Sequence, residues 1–117
     1  MYTNQTRDRF NPGTDLTAVA TVDVTGKTFV AYGGPMRNSN IAVRPAAPGE
    51  PVAGVAKYDA KTDQLVGVAR GSARVLTVTT EVALEAGDPV EVGDGGRATK
   101  ATTGTVVGWA ADDAEAN

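Results

Sequence analysis

The second half of the chain carries a pattern of glycine, proline and valine that is typical of short β-strands. Gly87-Asp88-Pro89-Val90-Glu91-Val92 leads into the turn Gly93-Asp94-Gly95-Gly96, and Gly108-Trp109-Ala110 follows with Asp113-Ala114 close behind. Proline can open a strand where no ladder donor is needed, and alternating valines then continue the strand. Glycine supplies the positive φ of tight turns. These residues indicate β architecture rather than catalysis.

A shorter version of this pattern stands earlier in the chain. Gly49-Glu50-Pro51-Val52 is followed by Gly54-Val55-Ala56 and then by Asp59-Ala60. The two glycine-containing pieces are adjacent here but far apart in the second half. Because a tandem repeat keeps a fixed period, this difference argues against one.

Short runs of apolar residues with a period of two predict many strands and no long helix. Residues 16–24 and 28–32 flank the turn Thr25-Gly26-Lys27 and form a predicted hairpin, which Gly33-Gly34-Pro35 then breaks. Residues 80–86 fit either one or two helical turns or a bent strand. The further predicted strands are residues 41–44, 52–58, 64–69, 74–79, 90–92, 97–100 and 105–110. This pattern predicts an all-β fold, a small antiparallel β-barrel or sandwich.

The chain length and the small apolar side chains limit the core. A chain of 117 residues is expected to form one domain. Hydrophobic residues make up 41% of it but aromatic residues only 5%. Burial of Ala and Val removes little apolar surface at roughly 25 cal/mol per Å², so the core is thin. We therefore expect contacts with neighbouring molecules to contribute to stability.

The N-terminal residues form a polar segment that differs from the rest of the chain. Residues 1–15 are interpreted as an extended N-terminal arm, and residues 16–117 as a single β domain. Tyr2, Arg7, Arg9 and Phe10 on the arm suit contact with a partner's acidic or edge-strand groups. Trp109, the only tryptophan, is expected to pack in the core, with an interface anchor as the alternative.

Composition excludes several classes of function. The net charge of −3 and the pI near 4.8 argue against a nucleic-acid partner. No apolar run approaches the ~20 residues of a membrane span, and residues 1–14 lack the apolar core of a signal peptide. We therefore expect no membrane partner and a chain made and used in the cytoplasm or in something assembled there.

The residue types needed for most catalytic and metal sites are missing. The chain contains no histidine and no cysteine, so catalytic triads and thiolate metal sites are excluded and no cofactor is expected. Asp59, Asp63, Asp112 and Asp113 are the remaining candidates for carboxylate catalysis. Because they fall in predicted turns or in the tail, local hydrogen bonding is the favoured interpretation.

Five groups of residues, spread over almost the whole chain, together resemble one family of structural proteins. They are Tyr2-Thr3-Asn4, Val22-Asp23-Val24-Thr25-Gly26-Lys27 with Phe29-Val30, Gly54-Val55-Ala56 with Tyr58-Asp59-Ala60, Ala86-Gly87-Asp88-Pro89-Val90-Glu91-Val92, and Val107-Gly108-Trp109-Ala110. The chain resembles the phage capsid decoration family, also called head cement proteins, in particular versions from tailed phages of actinobacteria.

This resemblance implies a structural role in the virion. It implies a β-tulip-like fold that binds the outer face of an assembled phage head and bridges neighbouring major capsid proteins. It also implies a homotrimer at three-fold or quasi-three-fold positions, N-terminal arms that reach across capsid-protein edges, and neither enzyme activity nor a cofactor. One departure is the C-terminus, because similar proteins continue past the Asp-Ala piece into a final apolar strand, whereas this sequence stops at Asn117.

Three other classes of protein remain as alternatives to a capsid decoration protein. The first is another virion or surface β module, such as a spike, a fibre base or a glycan-binding domain, although the chain has few aromatic residues for glycan binding. The second is a lipoyl or biotinyl carrier domain, which needs a lysine in a tight hairpin of a type not found here. The third is a small enzyme, which the missing histidine and cysteine disfavour.

Overall fold

The computed structural model describes residues 3–5, 15–71 and 74–116. In these residues it shows eight β-strands and one short 3-10 helix, Asp94–Gly96. The strands are β1 (Asp15–Ala20), β2 (Phe29–Arg37), β3 (Asn40–Pro45), β4 (Gly54–Ala56), β5 (Leu65–Ala69), β6 (Pro89–Val92), β7 (Ala98–Lys100) and β8 (Gly108–Trp109).

The first five strands close into a barrel in the order β1-β3-β2-β4-β5. The predicted all-β barrel is therefore confirmed, with one difference. Strand β1 pairs in parallel with β3, whereas its pairing with β5 and all other pairings in the barrel are antiparallel. Strand β5 lies between β1 and β4 and closes the barrel.

The predicted hairpin of residues 16–24 with residues 28–32 is wrong. Strand β1 ends at Ala20, and the chain then crosses the end of the barrel instead of turning back beside β1. Val24 forms an isolated bridge with Ala60, and the Lys27 amide donates to the Ala56 carbonyl at 2.8 Å. These hydrogen bonds hold residues 21–28 against the end of β4 and the residues that follow it, so β2 begins away from β1.

Strand β2 also continues through the predicted break at Gly33-Gly34-Pro35 and ends at Arg37. The ladder accommodates this segment by a register shift between Tyr32 and Gly34, whose φ is 139°. The turn to β3 follows at Asn38 and Ser39, both with positive φ. A bulge absorbs the glycines, and the turn lies later than predicted.

Strands β6, β7 and β8 form a second sheet in the order β7-β6-β8. The predicted hairpin around Gly93-Asp94-Gly95-Gly96 is confirmed, because β6 pairs with β7 across the 3-10 helix. Gly96 requires glycine there, since its φ is 75° and a Cβ would lie 2.9 Å from the Phe29 carbonyl oxygen. Residues 74–79 and 80–86 are neither strand nor helix, and only residues 108–109 of the predicted strand 105–110 form one.

The two halves of the chain repeat one set of main-chain hydrogen bonds. The Val24 amide donates to the Ala60 carbonyl at 2.9 Å, and the Leu84 amide donates to the Ala114 carbonyl at the same distance. Six further pairs match in the same way, with residues 20–30 corresponding to 80–90, residues 43–46 to 98–101 and residues 53–60 to 107–114. They are Lys27 to Ala56 and Gly87 to Ala110, Ala56 to Thr28 and Ala110 to Asp88, Ala53 to Val30 and Val107 to Val90, Thr21 to Val43 and Glu81 to Ala98, Ala60 to Val24 and Ala114 to Leu84, and Ala46 to Phe29 and Ala101 to Pro89.

Side chains follow the same repeat. The Asp59 carboxylate accepts a hydrogen bond from the Gly26 amide, and the Asp113 carboxylate accepts one from the Ala86 amide, both at 2.9 Å. Residues 49–52 and 87–90 are therefore not equivalent, as the sequence indicates. The repeat that the structure shows was not predicted, because its hydrogen bonds align residues 87–90 with residues 27–30.

The two repeats differ in one strand. In the first repeat the chain continues past Ala60 into β5, which pairs with both β1 and β4. The described residues of the second repeat end at residue 116, two residues past Ala114, and include no counterpart of β5.

Two clusters of buried side chains match the two repeats. The first fills the barrel and includes Val66 and Val68 of β5. The second is built on Leu84, Val90 and Val92, and it also takes Phe29 and Val55 from the outer face of the barrel. The repeats therefore share a core, and the barrel supplies apolar side chains to the second sheet.

Candidate interaction surface

Trp109 is the one predicted interface residue that the structure describes. It lies on β8 and is 71% exposed, so the expectation of core packing is wrong. Its counterpart in the first repeat, Val55, is only 7% exposed because it packs in the core that the two repeats share. The other predicted interface residues, Tyr2, Arg7, Arg9 and Phe10, lie outside the described residues.

Trp109 belongs to a set of exposed apolar side chains on the second repeat. Val75 is 82% exposed, and Leu76, Val82 and Val106 are also exposed. The counterparts of Val75, Leu76 and Val106 in the first repeat, which are Asp15, Leu16 and Val52, are half-buried. Val22, the counterpart of Val82, is exposed in the first repeat as well. Since large exposed apolar groups mark interaction sites when they occur together, this part of the second repeat is the candidate interaction surface.

A groove opens beside this surface. It has a volume of about 390 Å³ and is lined by Thr77, Val78, Thr79, Thr80, Lys27, Ala114, Glu115 and Ala116. By the correspondence between repeats, residues 77–80 match residues 17–20 of β1, whose outer edge pairs with β5. The groove therefore lies along the segment that corresponds to β1, the strand that β5 pairs with in the first repeat.

A second cavity, of about 250 Å³, is lined in part by the buried carboxylate of Glu91. Glu91 is 7% exposed, and its Oε1 accepts hydrogen bonds from the Thr102 amide and hydroxyl, each at 3.0 Å. These hydrogen bonds lower the pKa of the Glu91 carboxyl, because they favour its charged form. Glu91 therefore anchors the loop at residues 101–104.

The four candidate catalytic acids take part in structural contacts. Asp59 and Asp113 accept the matching hydrogen bonds of the two repeats, and Asp112 accepts one from the Asp113 amide at 2.8 Å. Asp63 forms an ion pair with Arg37 at 3.0 Å. Asp59, Asp63 and Asp113 therefore connect segments that are distant in the sequence, and only the Asp112 contact is the local hydrogen bond that the sequence predicts.

Other ion pairs tie the ends of strands together. Arg44 donates to both carboxylate oxygens of Glu50 at 2.8 and 2.9 Å, and this pairing lowers the pKa of Glu50 to about 2. Asp15, at the start of β1, accepts from Lys57 and Arg74 at 2.8 Å each, and both hydrogen bonds lower its pKa. Because carboxylates neutralise these basic groups, they form no positively charged patch of the kind that binds phosphates.

Neither a metal site nor a membrane-spanning helix is found in the part of the chain that the structure describes. No three or more acidic side chains there are grouped so that they could hold a metal ion. Within the same residues, no helix has the length and apolar character that crossing a bilayer requires.

Comparison with known proteins identifies the family. The model of the phage cement protein family matches residues 10–117, so the chain belongs to this family. Among curated protein sequences, none matches the chain. A solved structure, the head fiber gp8.5 N base in bacteriophage phi29, has the same fold with a TM-score of 0.72 and 24% sequence identity. The match covers 87% of this chain and 85% of that one.

Family membership defines what kind of protein this is. The chain is a structural protein of the phage virion that decorates the capsid. The resemblance to cement proteins is therefore confirmed, and the exposed apolar surface of the second repeat lies on a protein whose role is to bind the capsid.

Proposed function

We propose that this cement protein binds the outer surface of the assembled head and bridges neighbouring major capsid proteins. Its membership of the cement family carries this proposal. The acidic net charge supports binding at the outer rather than the inner surface of the head, because packaged DNA repels a protein of net negative charge.

The stabilisation is thermodynamic. A protein that binds the assembled shell but not its separated subunits adds its binding free energy to the stability of the shell. Contacts with two capsid proteins at once raise the effective concentration for the second contact, so modest affinities are sufficient. This mechanism needs no catalytic group and no cofactor.

The organisation of the chain follows from this role. Residues 1–15 act as an arm that reaches a neighbouring capsid protein through Tyr2, Arg7, Arg9 and Phe10, and the β domain binds through the surface around Trp109. Three copies assemble at a three-fold or quasi-three-fold position. The likeness to a head fibre base is one of fold, so it does not favour a fibre base over a cement protein.

Thermal rupture of purified heads tests this function. Saturating protein should raise the temperature at which expanded heads rupture, because the bound protein must dissociate before the shell opens. A chain that lacks residues 1–10 should give a smaller rise, while its circular dichroism shows the same β fold. An unchanged rupture temperature with the full chain, measured where binding is saturated, would contradict the stabilising role.

A further inference from the structure

We infer that the groove of the second repeat takes an extended strand of the capsid shell protein, in the position that β5 occupies in the first repeat. Assigning the strand to the shell rests on the function proposed above. The first repeat is the model for this inference, because there β5 of the same chain fills the position beside β1 and β4.

In the first repeat, β5 and the two residues before it hydrogen-bond to the chain on both sides, at the end of β1 and just after β4. The Ala20 amide donates to the Gln64 carbonyl at 2.9 Å, and the Ala20 carbonyl accepts from the Asp63 amide at 2.7 Å. On the other side, the Lys57 amide donates to the Gly67 carbonyl at 2.9 Å. These bonds satisfy both edges that flank β5.

The matching groups of the second repeat have no hydrogen-bond partner among the described residues. Thr80 corresponds to Ala20, and Ala111 corresponds to Lys57. Within residues 3–5, 15–71 and 74–116, no hydrogen-bond partner is found for the Thr80 amide and carbonyl or for the Ala111 amide. An edge with free amides and carbonyls is a template for adding a strand.

The space for such a strand is also present. A Cβ on Gly54 of β4 would lie 2.5 Å from Cγ1 of Val68 and 2.6 Å from the carbonyl oxygen of Ala69, because β5 lies against it. Gly108 is its counterpart in β8, and a Cβ there would meet nothing within 4 Å. The position of β5 is therefore open in the second repeat.

The first repeat also defines the chemistry of the incoming strand. Val66 and Val68 of β5 are fully buried in the barrel, one on either side of Gly67. By correspondence, the partner strand should carry small apolar residues at alternate positions and run antiparallel to residues 75–80. Its neighbours would include Trp109, which is exposed in the free chain.

A second copy of this chain is a poorer source of the strand. All eight strands of the described residues already pair within the chain. Residues 1–14 have the sequence MYTNQTRDRFNPGT, which lacks the alternating small apolar residues of β5. Since the protein decorates the capsid, an extended segment of the shell protein is the partner that fits.

Two measurements on the full chain with expanded heads test the inference. Gly108→Val places a branched side chain where β5 lies in the first repeat, so binding to heads should weaken at least about tenfold, or ~1.4 kcal/mol. The control Lys100→Val lies on β7, on the other side of β6 from β8, and should bind within about twofold of the unaltered chain. In the unaltered chain, hydrogen exchange of the Thr80 and Ala111 amides should slow when heads are bound.

Each other outcome overturns a defined part of the inference. If the unaltered chain binds heads but these amides exchange as fast as in the free protein, the groove is empty and only the proposed function stands. If the unaltered chain does not bind heads, the proposed function fails and the shell is not the source of the strand. If the amides are already protected in free protein that light scattering shows to be oligomeric, a second copy fills the groove. The exchange measurement uses no variant, so it remains decisive even if Gly108→Val fails to fold.

Discussion

Replacing Gly54 with valine should cost the protein roughly 3 kcal/mol or more of its unfolding free energy. The new Cβ would lie 2.5 Å from Val68 and 2.6 Å from the carbonyl oxygen of Ala69, and the main chain of β5 can move only if the barrel opens. Overpacking in a well-packed core typically costs 1–3 kcal/mol, and a clash with main chain raises that cost. We expect thermal unfolding followed by circular dichroism to show a melting temperature lower by roughly 10 °C or more.

The counterpart in the second repeat provides the matched control. Gly108→Val makes the same change at the equivalent position, where a Cβ meets nothing within 4 Å. Its effect should stay within about 0.5 kcal/mol, because the added side chain meets no described atom at this half-buried strand position. Equal destabilisation by the two variants would show that the two glycines are equally packed and would contradict the open position in the second repeat.

Replacing Phe29 with alanine should cost about 3–5 kcal/mol, because it removes a large side chain from the core that both repeats share. Phe29 is buried and lies on the outer face of the barrel against the second sheet. The loss should lower the stability of both repeats, so urea denaturation should still show one transition, shifted to lower denaturant.

Tyr32 lies three residues further along β2 and serves as the control for this change. It is half-exposed, and its ring lies 5.9 Å from the Arg70 guanidinium. Tyr32→Ala should therefore cost no more than about 1 kcal/mol. A second transition in Phe29→Ala, or a cost no larger than that of Tyr32→Ala, would argue that the repeats fold independently.

Much of the fold could be predicted from short-range patterns. The alternation of apolar residues and the spacing of glycine and proline identify a small β-barrel, and the four residues 93–96 identify a hairpin. The parallel pairing of β1 with β3 could not be predicted, because residues 21–28 read as a simple turn. Main-chain hydrogen bonds to residues 56–60 direct this segment away from β1. Such bonds depend little on which side chains are present, so the sequence does not reveal them.

The internal repeat is hidden for the same physical reason. Its conserved features are main-chain hydrogen bonds, which Val24 and Leu84, or Gly26 and Ala86, satisfy equally well. The sequence signals that match this alignment are Gly54, Ala56 and Asp59 in the first repeat and Gly108, Ala110 and Asp113 in the second. These signals appeared in the sequence, but alignment on the Gly-Pro-Val pieces obscured them.

The candidate surface was only partly predictable. Trp109 was considered as an interface anchor from the sequence. Its exposure depends on the absence of a β5 counterpart among the described residues, and no local sequence pattern predicts that absence. Val75 and Val106 were missed because an apolar residue in a predicted strand is normally expected to be buried. The contacts assigned to the arm residues Tyr2, Arg7, Arg9 and Phe10 remain predictions.

The most direct test of the central claim is co-sedimentation of the purified chain with empty, expanded phage heads. Increasing amounts of the protein are mixed with a fixed amount of heads, and the pelleted protein is measured against the major capsid protein. A cement protein should bind saturably at a fixed ratio, and that ratio identifies the class of lattice site. Failure to pellet with heads, or binding that never saturates, would contradict a capsid-bridging role.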